Sequence, residues 1–189
     1  MKTNILIGCL LIVTLWIRAE EVVTIEGNNS FEESSKNRLV DWRVNEALKE
    51  RLGKIEIVKG EAQEGEQSIF IKTEKDQVYQ LYAGLTSASL KSNIEMTIYV
   101  KGKGSFYLGI YAYNSENVFL DIVHNKTIKG DFKEWTKFTF TAKLPTKDNY
   151  ERGEGPATKF RPAILVGEES ELSFDSFSGT VTTPDIENK

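Results

Sequence analysis

Two adjacent runs of strict alternation constrain this chain more than any other feature. In Asn93-Ile94-Glu95-Met96-Thr97-Ile98-Tyr99-Val100-Lys101, Ile94, Met96, Ile98 and Val100 fall on one face and Glu95, Thr97, Tyr99 and Lys101 on the other. Ser105-Phe106-Tyr107-Leu108-Gly109-Ile110-Tyr111-Ala112-Tyr113 repeats the pattern: Phe106, Leu108, Ile110 and Ala112 face one way, Tyr107, Gly109, Tyr111 and Tyr113 the other. Period two over nine residues marks a strand with one buried face. Gly102-Lys103-Gly104 between the runs is a turn signal, so the sequence predicts an antiparallel hairpin.

The rest of the chain continues in the same manner. Further strand-like runs lie at 52–58, 68–73, 78–83, 118–123, 137–142, 161–167 and 172–181, most of them bounded by Gly, Asn, Asp, Lys or Glu clusters. A single segment, 39–51, hints at a helix through Val40, Val44, Ala47 and Leu48. Many short strands at near-regular spacing predict an all-β, antiparallel two-sheet β-sandwich or jelly roll. The region 20–181 shows no internal repeat or low-complexity linker, so it reads as one domain, with 182–189 as a frayed tail.

The N-terminus reads separately. Met1-Lys2-Thr3-Asn4 precedes an apolar run at 5–17, and Arg18-Ala19-Glu20 ends it. That is the layout of a secretory signal peptide at 1–19, and its apolar run is shorter than the ~20 residues a bilayer span needs. Cleavage after Ala19 removes 19 of 189 residues and leaves 170. Lys2 and Arg18 leave with the leader, so 22 basic residues face 28 acidic ones, and the sole cysteine, Cys9, is lost. The exported chain must therefore be held by core packing, not disulfides. Its negative balance opposes phosphate neutralisation in nucleic acid, and no second apolar span points to membrane insertion. A secreted or periplasmic location follows from the leader, and oligomeric state does not follow from anything in the sequence.

Several short motifs occur in an order that resembles the carbohydrate-binding modules of the family 4/9/22 type, which are galactose-binding-like jelly rolls. They are Asn28-Asn29-Ser30-Phe31-Glu32, Gly65-Glu66-Gln67-Ser68-Ile69-Phe70-Ile71, Tyr99-Val100-Lys101-Gly102, Trp135-Thr136-Lys137-Phe138-Thr139-Phe140 and Phe174-Asp175-Ser176-Phe177. Ser176 departs from the family's pattern, where a second Asp is common, and the 145–160 segment is long and charged. The resemblance implies a structural Ca²⁺ held by the side chains of Glu32, Glu64 and Asp175 and the backbone oxygens of Ser30 and Gln67. Hard oxygen donors of this kind suit Ca²⁺, and converging carboxylates would repel without a cation. The resemblance also places Trp42 and Trp135 in the core.

The tyrosine face of 105–113 is the candidate binding surface. Tyr107, Tyr111 and Tyr113 offer flat rings with polar tips, and pyranose C–H faces stack on such rings. Tyr79, Tyr82, Gln77 and Gln80 would extend the cleft, and Asn114, Asn117 and Arg161 would supply oriented donors and acceptors. The competing reading is that these tyrosines only shield the edge of the core. For catalysis, His124 has no Ser-Asp order around it, and no carboxylate pair stands out among 28 acidic residues. The sequence thus predicts a secreted, non-catalytic carbohydrate-binding module that recognises a polysaccharide or oligosaccharide by tyrosine stacking. A structural or adhesion module on the same fold is the alternative, and a small glycan-active enzyme a third reading.

Overall fold

The computed structural model describes residues 21–25, 31–32, 34–35, 38–146, 149–150 and 153–183. The leader predicted at 1–19, Ser30 of the predicted calcium set and residues 184–189 of the predicted tail lie outside the described residues. Fifteen strands are seen among them. They are β1 (Glu21–Thr24), β2 (Ser34–Ser35), β3 (Arg38–Leu39), β4 (Arg43–Val44), β5 (Lys54–Lys59), β6 (Gln67–Thr73), β7 (Tyr79–Tyr82) and β8 (Thr86–Ser87). The remainder are β9 (Asn93–Tyr113), β10 (Phe119–His124), β11 (Ile128–Lys143), β12 (Asn149–Tyr150), β13 (Gly153–Glu154), β14 (Lys159–Val166) and β15 (Ser170–Thr183). The helix expected at 39–51 is confined to a 3₁₀ segment, Glu46–Arg51, whose Asn45 Oδ1 accepts from the Ala47 amide. The region before it is extended because β4 pairs with β7.

All ladders between these strands are antiparallel; eleven strands form one curled jelly-roll sheet whose two halves share β9, while β2 with β3 and β12 with β13 make separate two-stranded ladders. Its first half, 93–103, lies between β11 and β15; β6 and β5 continue outward from β15, and β1 also pairs with β15. Its second half pairs with β10 and β14, and β7 and then β4 continue outward from β14. The hairpin expected at Gly102-Lys103-Gly104 is therefore absent: β9 is a single 21-residue strand running through both halves. Gly102 adopts φ +114°, a left-handed value that bends the strand without reversing it. The segment cannot peel away into a turn, because Gly102 and Lys103 are already paired with Phe132 and Asp131 on one side and Leu172 and Glu171 on the other.

The alternation does set the core. Ile94, Met96, Ile98, Val100, Phe106, Leu108, Ile110 and Ala112 are all buried in a single cluster. Phe106, just past the bend, meets Phe132, Phe138 and Phe174 edge-on at centroid distances of 6.2, 5.2 and 5.6 Å. Trp42 is buried between Phe31 and Phe177 at 5.4 and 5.1 Å, a packing role, while Trp135 is half-buried. The segment 145–160 is not a plain loop, since it contains the two-residue ladder of β12 with β13. Thr182 and Thr183, expected in the tail, extend β15 by pairing with Val22 and Glu21.

Candidate ligand-binding cleft

The outward face of the second sheet half carries the cleft. On β9, Tyr107, Gly109, Tyr111 and Tyr113 point away from the core that Phe106, Leu108 and Ile110 fill. Register places Arg161 of β14 opposite Tyr111, Leu165 opposite Tyr107, and Ile122 of β10 opposite Tyr111. Ala163 links the face to Tyr82, and Leu165 to Gln80, through β7. The result is a cleft of about 570 Å³. Its lining includes Tyr79, Gln80, Tyr82, Tyr107, Tyr111 and Tyr113. That volume lies within the ~300–1,000 Å³ typical of small-ligand sites.

The rings are packed more closely than free stacking platforms would be. Tyr111 is only 9% exposed. It meets Tyr82 edge-on at 6.3 Å and Phe119 at 5.7 Å. Tyr113 also touches Phe119, at 5.9 Å, and Tyr107 lies 4.9 Å from the His124 ring. Burial raises the Tyr107, Tyr111 and Tyr113 hydroxyl pKa values above the ordinary tyrosine value. Burial alone raises Tyr79 to about 12. All four hydroxyls therefore stay neutral donors at physiological pH. Gly109 is the gap in the row: a Cβ there would lie 2.7 Å from the Val123 carbonyl oxygen and 2.9 Å from His124 Cβ. The missing side chain lets β10 close against β9.

The expected polar groups divide. Gln80 is buried in the lining, its Oε1 accepting from Asn45 Nδ2 at 2.8 Å. Arg161 sits with its guanidinium 5.2 Å from the Tyr82 ring centre and 5.7 Å from that of Tyr113. Neither Arg161 nor Asn114 is among the lining residues: Arg161 borders the cleft over two of its rings, and the turn after β9 occupies Asn114. Its Oδ1 accepts from the Glu116 and Val118 amides at 3.0 and 2.9 Å, and its Nδ2 donates to the Glu154 carbonyl at 3.0 Å. Asn117 Oδ1 accepts from Lys159 Nζ at 2.8 Å, and Gln77 Oε1 from the Glu74 amide at 3.0 Å. Sequence reasoning missed Phe119, Ile122, Leu165 and Asn45, which reach the lining only through strand register and the 3₁₀ helix. His124 Nδ1 lies 2.7 Å from the Asn125 carbonyl oxygen, beside Tyr107, with no catalytic partner among the described residues.

A second constellation joins Glu32, the loop before β6 and β15. Glu32 Oε1 accepts from the Glu66 and Gln67 amides, each at 2.9 Å. Gln67 Nε2 donates to the Glu32 carbonyl at 2.5 Å. Buried Asp175 accepts from the Gln63 and Glu64 amides at 2.6 and 3.0 Å through Oδ2, and from Ser176 at 2.7 Å through Oδ1. Its pKa is raised, first by burial and also by the Glu32 charge, against the pull of those amides. Glu64 thus presents its amide here while its side chain is exposed, and among the described residues no group of three His, Cys, Asp or Glu is placed to hold a metal. Two features nonetheless suit a hard cation. Gln67 Oε1 is buried with no hydrogen-bond partner, and Asp175 is destabilised by a neighbouring carboxylate.

No family model matches the chain, and no curated protein does. Solved structures do. A cyclase from Fischerella sp. TAU superposes with a TM-score of 0.62 at 13% identity, covering 85% of this chain and 98% of that one. The CBM22-1 xylan-binding domain from Paenibacillus barcinonensis gives 0.54 at 14% identity, covering 88% and 98%. The CBM22-1–GH10 modules of a Clostridium thermocellum endo-1,4-beta-D-xylanase, complexed with xylohexaose, give 0.55 at 12% identity, covering 83% of this chain and 28% of that one. At these identities the likeness establishes the architecture: this chain folds as an antiparallel jelly roll of the kind seen in carbohydrate-binding modules.

Proposed function

We propose that this protein is an exported carbohydrate-binding module that holds an oligosaccharide in the tyrosine cleft without cleaving it. The observation that carries the reading is the gathering of four tyrosines, Tyr82, Tyr107, Tyr111 and Tyr113, around one cleft on the outward face of the sheet, with Tyr79, expected as a fifth contact, closing the wall from the hydrophobic core at 4% exposure. Tyr107 and Tyr113, half-buried, present the more accessible rings for sugar C–H faces, while Tyr111 forms the floor. The neutral hydroxyls and the Gln80 amide, whose Nε2 has no protein partner among the described residues, supply oriented hydrogen bonds. Calcium, where bound, would be held by Glu32, Asp175 and Gln67 and would tie the loop before β6 to β15. Its role is stability, because the constellation is composed of residues separate from the cleft lining.

The test is a glycan array followed by polysaccharide depletion with product analysis. Retention of a glycan with no released sugar supports the reading, and absence of any bound glycan refutes it in favour of a structural or adhesion role. The aliphatic flank of Ile122, Leu165 and Val166 favours a second reading, a flat apolar ligand. One Fischerella cyclase structure was obtained in complex with 4-(1H-indol-3-yl)butan-2-one. Saturable binding of that compound, without glycan binding, would select this second reading.

A further inference from the structure

We infer that the glycan held in the cleft is acidic, with a uronate carboxylate or a sulfate ester meeting Arg161. The inference rests on the cleft being a glycan site and narrows its substrate class. Arg161 is half-buried at the edge of the cleft: it is not itself a lining residue, but its guanidinium lies over Tyr82 and Tyr113, both of which line the cleft. Among the described residues it makes no ion pair, and its buried Nε has no hydrogen-bond partner. A cation–π contact holds a guanidinium in place but satisfies none of its N–H donors. A buried donor left open costs stability unless a ligand fills it. The planar fork of an arginine fits a carboxylate or sulfate through two parallel hydrogen bonds, which a neutral hydroxyl cannot match.

The surroundings have the same polarity. The strands of this sheet half carry Arg43, Lys159 and Arg161 against a single carboxylate, Asp121, and Asp121 Oδ1 already accepts from the Ile122 amide at 2.8 Å. Lys159 is spent on the Ser115 carbonyl and Asn117 Oδ1, at 2.9 and 2.8 Å, so it does not compete for a ligand anion. At the opposite end of the cleft, near Gly167, Glu168 is paired with Arg51 at 3.6 Å. An uncommitted cation among tyrosines, in a chain whose net charge is −4, is a local arrangement and not a consequence of composition.

The experiment uses matched probes on the full exported chain. Polygalacturonate and alginate are compared with their carboxyl-reduced forms, and chondroitin sulfate with its desulfated form, by affinity electrophoresis and titration calorimetry. At least one acidic probe should bind about tenfold tighter than its neutral counterpart, and Arg161→Gln should erase that preference. Carboxyl reduction and desulfation tell the two anion sources apart. Arg161→Lys, which keeps the charge but not the fork, should retain only part of a carboxylate preference, and unfolding curves of both variants verify folding. Neutral glycans bound as tightly as acidic ones would overturn the inference while leaving the glycan reading intact. So would an acid preference that survives Arg161→Gln. Binding of neither class would overturn both.

Discussion

Truncating Tyr111 separates a packed ring from a free stacking surface. The residue is 9% exposed and makes edge contacts with Tyr82 at 6.3 Å and Phe119 at 5.7 Å. Removing a fully buried aromatic side chain costs about 3–5 kcal/mol, and each edge-to-face pair is worth about 0.5–1.5 kcal/mol within that. Because the cleft lies on one side, water can enter the vacated space and reduce the cavity term, which places Tyr111→Ala near 3 kcal/mol, about the low end. Tyr107→Ala removes a half-buried ring that packs beside His124 and should cost about 1 kcal/mol. In a domain of this size these become losses in Tm of about 6–12 °C and 2–4 °C. Reversible urea unfolding of both variants, with m held common, gives the difference directly. Tyr111→Phe keeps the ring and should cost under about 1 kcal/mol while weakening glycan binding through the lost hydroxyl. A Tyr111→Ala protein within about 1 kcal/mol of wild type would show that the ring is not part of the packing and would refute the argument.

Leu108→Ala, on the opposite face of the same strand, should destabilise by about 2–5 kcal/mol with glycan affinity unchanged in the folded fraction; a loss below about 1 kcal/mol would remove Leu108 from the core. Gly109→Ala should cost about 1–3 kcal/mol by forcing β10 away from the new methyl, and it should alter the His124 ring environment seen by NMR; an unperturbed His124 signal would contradict the close approach. Calcium at 100-fold above its Kd should stabilise by about 2.7 kcal/mol, and Asp175→Ala should abolish most of that increment; a Tm indifferent to chelation counts against the site. In chelator, burial holds the Asp175 pKa above its unfolded value, so the native state binds the proton more tightly. Its contribution is fully present below the unfolded pKa and is lost as pH rises through the raised folded value. Asp175→Asn should therefore flatten the decline of the urea midpoint across that window, and identical slopes would refute the assignment.

Period two alone settled which residues of β9 are core and which are outward. Phe106, Leu108 and Ile110 needed no partner strand to be assigned, because a pleated backbone sends successive side chains to opposite faces. The strand centres at 54–59, 67–73 and 159–166 were legible as short runs bounded by turn-forming and charged residues. Trp42 was readable only through resemblance, since nothing local marks a loop tryptophan as buried. Tertiary structure decided what a local pattern cannot carry. Gly102 is compatible with a turn or a bend, and the choice fell to the strands already paired on both of its flanks. Asn114 looked like a free donor in sequence, but the chain reversal to β10 takes its oxygen and the Glu154 carbonyl of β13 takes its nitrogen. Phe119, Ile122 and Leu165 entered the cleft because register set them beside tyrosines distant in the chain. The isolation of Arg161 is likewise a tertiary property: sequence supplies the guanidinium, but only the assembled sheet determines that, among the described residues, no carboxylate comes to meet it.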